Sequence, residues 1–107
     1  MNHGFLRDKQ GDITTFDVPG AGTGSGEGTL GENINTPGDV DGNYIDAAGV
    51  SHGFVRAKHG TITTFDAPGA GTGAGQGTFP GQNTPAGAIT GTYIDSSNVF
   101  HGFLRIP

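Results

Sequence analysis

Cysteine is absent from this chain, as is tryptophan, and methionine occurs once. Without cysteine there are no disulfides and no thiolate ligands, so nothing in the sequence reports a redox compartment. Charge is scarce as well. Charged residues make up 14% of the 107, and five lysines and arginines face ten aspartates and glutamates, for a net charge of −5. A nucleic-acid or anionic-membrane partner needs a basic face to meet its phosphates, and this balance argues against both. No apolar run reaches the length of a membrane span. The opening "MNHGFLRDKQ" has no apolar signal-peptide core. No stretch repeats its apolar residues at helical spacing between caps, so helices are not expected.

What the chain has in excess is glycine, 22 residues, with six prolines. Gly and Pro at this level without a period read as disorder. Here there is a period. Shifted by 49 residues, 3–51 align with 52–100 without a gap, and 26 of the 49 positions are identical. "HGFLR" at 3–7 returns as "HGFVR" at 52–56 and as "HGFLR" at 101–105. "ITTFD" occupies 13–17 and 62–66, "PGAGTG" 19–24 and 68–73, and "YID" 44–46 and 93–95. Repeat physics therefore leads the reading. The chain is one repeat domain, 1–107, with units 3–51 and 52–100 and a partial third unit at 101–107.

Each unit reads as four short strands. "VSHGFVR" (50–56) and "GTITTFD" (60–66) are β-rich runs joined by a hairpin-length turn. "AITGTYID" (88–95) leads into the next "HGF" strand through "SSN", as "AAG" does in the first unit. A weaker fourth strand lies at 28–35 and 77–84. The fold class expected is all-β, with four-stranded, propeller-like blades of about 49 residues. A β-sandwich or a β-solenoid is the competing architecture. The candidate core is Ile13, Phe16, Tyr44, Ile45, Phe54, Ile62, Phe65, Tyr93, Ile94 and Phe103.

"GAITGTYIDSSNVFHGFLR" and "GTITTFDAPGAGTG" together resemble the HAF-type extracellular repeat arrays of bacteria, in which a G-x-I-x-G strand precedes an H-A-F-L strand. The resemblance runs from His3 to Arg105. It implies an extracellular or cell-surface setting and no particular chemistry.

A blade cannot bury both of its faces alone. With strands lettered A to D and "HGF" as C, the chain reads C-D, A-B-C-D, A-B-C. Two copies in sequence can share a blade, A-B-C from one and D from the next. Self-association is therefore expected: a trimer with six blades or a tetramer with eight, with an open filament as the alternative. The expected role is structural or adhesive and non-enzymatic, with no cofactor.

Candidate site residues follow the repeat. Tyr44 and Asp46, with Tyr93 and Asp95, could form one shallow glycan pocket per blade, a ring for stacking and a carboxylate for hydroxyls. His3, His52 and His101 recur in register and read as strand-initial side chains bonded to a neighbouring loop. Asp17 and Asp66 end strands, as do Asp46 and Asp95, and Asx-turns are expected of them. Arg7, Arg56 and Arg105 close their strands and are expected to pair with aspartates. No metal site is expected: "DVDGNYID" (39–46) has calcium-loop residues in Asp39, Asp41, Asn43 and Asp46, yet its spacing fails the EF-hand pattern. "PGAGTGSGEG" lacks the lysine and the following helix of a phosphate loop.

Overall fold

A computed structural model describes residues 1–107 and contains nine strands and no helix. They are β1 (Gly4–Arg7), β2 (Ile13–Phe16), β3 (Gly28–Ile34), β4 (Val40–Ile45), β5 (Ser51–Arg56), β6 (Ile62–Phe65), β7 (Gly77–Asn83), β8 (Ile89–Ile94) and β9 (Phe100–Arg105). The fold is all-β. β3-β4-β5-β6 form a four-stranded antiparallel sheet in sequence order. β7-β8-β9 repeat its first three strands, and β1-β2 form a separate hairpin matching its last two. β5 and β7 meet through one parallel pair, Ser51 opposite Gly77, which joins β3 to β9 in one seven-stranded sheet. No barrel closes.

The same local rules act 49 residues apart. β3 and β7 each carry a bulge against the next strand, between Gly31 and Asn33 and between Pro80 and Gln82. The β4–β5 turn ends in Gly49 with φ +82°, and the β8–β9 turn puts Asn98 there with φ +63°. This left-handed conformation is open to glycine and tolerated by asparagine. Gly28 and Gly77 stand where strands of different units touch. A Cβ on Gly28 would lie 2.2 Å from the Asn2 carbonyl oxygen, and one on Gly77 2.0 Å from that of Ser51.

Each unit packs on the next through its sheet faces. Phe54 meets Phe16 edge-on at 5.8 Å, and Phe103 meets Phe65 at 6.1 Å. A buried threonine hydroxyl ties each junction: Val18 N–H donates to Thr29 Oγ1 and Ala67 N–H to Thr78 Oγ1, both at 3.0 Å. The buried apolar residues are Val18, Val40, Val50, Phe54, Ala67 and Ile89. Only Phe54 belongs to the core read from sequence, and Ile13 is exposed. The correction has a physical reason. Both faces of a small sheet contact neighbours, so burial follows position between units more than side-chain size. Phe54 sits between two units and is 0% exposed, whereas its copy Phe5 is 63% exposed because no unit covers that face. At the opposite end Phe100, Leu104 and Ile106 are exposed.

Candidate functional site

Antiparallel pairing brings three strand ends to one edge of the central sheet. β4 ends there in Asp46, β5 begins there near His52, and β6 ends there before Asp66. His52 bridges the two carboxylates, with Nε2 2.8 Å from Asp46 Oδ2 and Nδ1 2.7 Å from Asp66 Oδ1. A neutral imidazole carries one N–H, so two carboxylate partners at these distances call for the doubly protonated ring. Partial burial opposes that charge, but the bonds to Asp46 and Asp66 outweigh it and raise the His52 pKa above its ordinary value. Partial burial likewise opposes the Asp46 charge. The bonds from His52 and from the amides of Val50 and Ala48 win, and its pKa falls.

Asp46 also makes the expected Asx-turn, its Oδ1 accepting from Ala48 N–H at 2.8 Å and Val50 N–H at 3.0 Å. Tyr44 stacks on the His52 ring at 4.9 Å, and burial followed by the Asp66 and Asp46 charges raises its phenol pKa.

The other copies are fragments of this arrangement. At the C-terminal end, Asp95 repeats the Asx-turn through Ser97 and Val99, and its Oδ2 lies 2.8 Å from His101 Nε2. The His101 bond, then the Val99 amide, lowers the Asp95 pKa. Tyr93 stacks on His101 at 4.8 Å. No carboxylate meets His101 Nδ1. At the N-terminal end the reverse half is present: His3 Nδ1 lies 2.8 Å from Asp17 Oδ1, and His3 Nε2 has no carboxylate. One site of three groups and two complementary halves thus line the chain.

Several expected roles differ. Asp17 and Asp66 bind histidine instead of closing Asx-turns. The arginines do not pair with aspartates, since every ion pair is between His and Asp. Arg56 lies over the Phe16 ring at 5.3 Å and Arg105 over Phe65 at 4.8 Å. The reason is topological: each arginine closes the "HGF" strand at the end opposite its histidine. Tyr44, Asp46, Tyr93 and Asp95 are drawn into the His contacts. The four residues of "DVDGNYID" disperse. Asp39 Oδ1 accepts from Lys58 N–H, Asn43 donates to Ser51 Oγ, Asp46 holds its turn, and Asp41 is buried with neither carboxylate oxygen partnered. No three His, Asp or Glu side chains converge as a metal would need. The Gly-rich loops are tied down by protein groups: Gly24 N–H donates to Glu27 Oε1 and Gly73 N–H to Gln76 Oε1, both at 2.9 Å, and Gln76 Nε2 donates to Asn98 Oδ1 at 3.0 Å.

No protein-family model, curated protein or solved structure matches the chain.

Proposed function

We propose that this is a self-assembling, non-enzymatic β-repeat protein whose copies join end to end into a closed ring of propeller-like blades, in a structural or adhesive role. The observation that carries the reading is the contrast between Phe54, 0% exposed, and Phe5, 63% exposed, at the same place in the repeat. Phe5 and Ile13 leave apolar surface open at one end, and the exposed Phe100, Leu104 and Ile106 show that the opposite end is uncovered as well. Two unlike faces on one molecule give a heterologous contact, which closes into a ring when the rotation allows and otherwise runs on as a filament. Trimers and tetramers are the ring orders that fit the repeat frame, and the extracellular setting rests on the sequence resemblance.

The site chemistry favours a structural role over catalysis. Both nitrogens of His52 are occupied by carboxylates, which leaves no basic lone pair. The adjacent Ser51 is buried, and its hydroxyl donates to the Thr78 carbonyl at 2.7 Å instead of facing the imidazole. Phe5→Asp puts a charge on the open N-terminal face, at a side chain that is 63% exposed. Sedimentation velocity should find the wild type assembled and this variant monomeric. Assembly that is indifferent to the substitution would refute the end-to-end reading.

A further inference from the structure

Resting on that end-to-end reading, we infer that two copies join by strand exchange, in which β1 of one copy displaces β9 of another from the edge of β8. The joint completes an Asp–His–Asp site from two chains: Asp95 from one, His3 and Asp17 from its neighbour.

The two halves are complementary. Asp95 offers an oxygen to an imidazole Nε2, now that of His101 at 2.8 Å. His3 already holds Asp17 through Nδ1 at 2.8 Å and has a free Nε2. Seating β1 beside β8 in the register that β5 adopts beside β4, Tyr44 opposite His52, places His3 opposite Tyr93 and next to Asp95. β9 and β1 share the five residues "HGFLR", so β8 meets the same side chains in either case. The exchange replaces one carboxylate–imidazole bond with another and leaves His3 bridged on both sides, as His52 is.

The residue before the histidine decides which strand belongs in the slot of an assembled pair. In β5 it is Ser51, 1% exposed, with its Oγ 2.7 Å from the Thr78 carbonyl of the next unit. A phenylalanine has no room at that contact, and the β9 residue is Phe100, 70% exposed. The β1 residue is Asn2, which already sits on the following strand as Ser51 does: Asn2 N–H donates to Glu27 O at 2.7 Å and Thr29 N–H to Asn2 O at 2.8 Å. β1 therefore comes already seated on its own next unit, and only its other edge is open.

That edge has space beside it. A groove of roughly 300 Å³ runs along β1, lined by Phe5, Leu6, Arg7, Glu32, Ile34 and Val40. In the central sheet the corresponding edge of β5 is covered by β4, and Asp41 of β4 is 0% exposed. The copy of Asp41 in β8 is Thr90, neutral and exposed, which can enter the groove without burying a charge.

A staple tests the exchange. Thr90 and Leu104 are direct cross-strand partners, and the chain has no cysteine of its own. In Thr90→Cys/Leu104→Cys, a disulfide closed within one chain, verified by loss of free thiol together with the mass of a single chain under denaturing, non-reducing conditions, fixes β9 to β8. Mass should fall to that of the monomer when oxidised and return to the assembled value when reduced. A second measurement mixes the single variants Leu6→Cys and Thr90→Cys, whose substituted positions the exchange places opposite one another, and should yield a disulfide between copies. Assembly that persists in the oxidised staple, with no disulfide between the two single variants in the mixture, overturns the exchange and leaves end-to-end association standing. Monomers in both redox states and in the wild type overturn both.

Discussion

Asp41→Asn should stabilise this protein, and by an amount that depends on pH. Asp41 is 0% exposed on β4, and neither carboxylate oxygen has a partner. Burial pushes its pKa up from 3.8 to about 6, and the Glu32 charge adds to the rise. The folded state thus holds a proton that the unfolded chain releases between pH 4 and 6. Stability on this account falls as pH rises through that window, the reverse of an ion-paired aspartate. Above pH 6 the charged group costs about 3 kcal/mol, from about 1.4 kcal/mol per pKa unit. Asparagine keeps the shape and removes the charge. Urea unfolding at fixed protein concentration should show the variant more stable by about 3 kcal/mol at pH 8 and by less than about 1 kcal/mol at pH 4. An equal effect at both pH values would mean that Asp41 carries the same charge in the folded protein at pH 4 and pH 8. A loss of stability at pH 8 would mean that the carboxylate is held by a cationic partner.

Two further predictions separate internal from terminal positions and fix the opposite arm of the pH profile. Phe54→Ala removes a fully buried ring between units and should cost about 3–5 kcal/mol in urea unfolding, whereas Phe5→Ala, at an exposed copy of the same position, should stay within about 0.5 kcal/mol for the monomer. Equal losses would mean that the N-terminal face is covered. His52→Gln should destabilise most near pH 5–6: a raised histidine pKa gives stability that is present below about 6.5 and lost as pH rises through the folded value. An effect that grows toward pH 9 would show that the neutral ring, not the imidazolium, bridges the carboxylates.

All nine strands were legible in the sequence: the "HGF", "ITTF" and "YID" runs are rich in β-branched and aromatic residues between glycine-containing turns, while the weaker β3 and β7 were read from their places in the 49-residue repeat. The three-group site was half legible. His52, Asp46 and Asp66 stood out as repeated, and the Asx-turn of Asp46 followed from its place at a strand end. Their convergence was missed, although the signal existed. In an antiparallel sheet the end of one strand, the start of the next and the end of the third share an edge, and "YID", "HGF" and "TFD" occupy those places. The core was poorly legible. Side-chain size and β-propensity suggested Ile13, which is exposed, and Phe16, Tyr44 and Ile62, which pack half-buried against the core, but full burial is set by which faces have neighbours, so Val18, Val40 and Ile89 are buried instead. The arginines misled for a related reason: opposite charge suggested aspartates, while strand direction delivers Arg56 and Arg105 to phenylalanine rings of the preceding unit. Asp41 stood out only as a calcium-loop residue, and its burial was not legible, since its copy in the second unit is an exposed threonine and only the packing of units buries it.

End-to-end assembly is read directly from the native mass of the wild-type chain, measured by light scattering coupled to size exclusion over a dilution series. The expected result is a discrete particle of three or four copies of the 10.8 kDa chain that loses mass on dilution. A 10.8 kDa monomer that persists at high concentration and unfolds cooperatively at nanomolar concentration would contradict it.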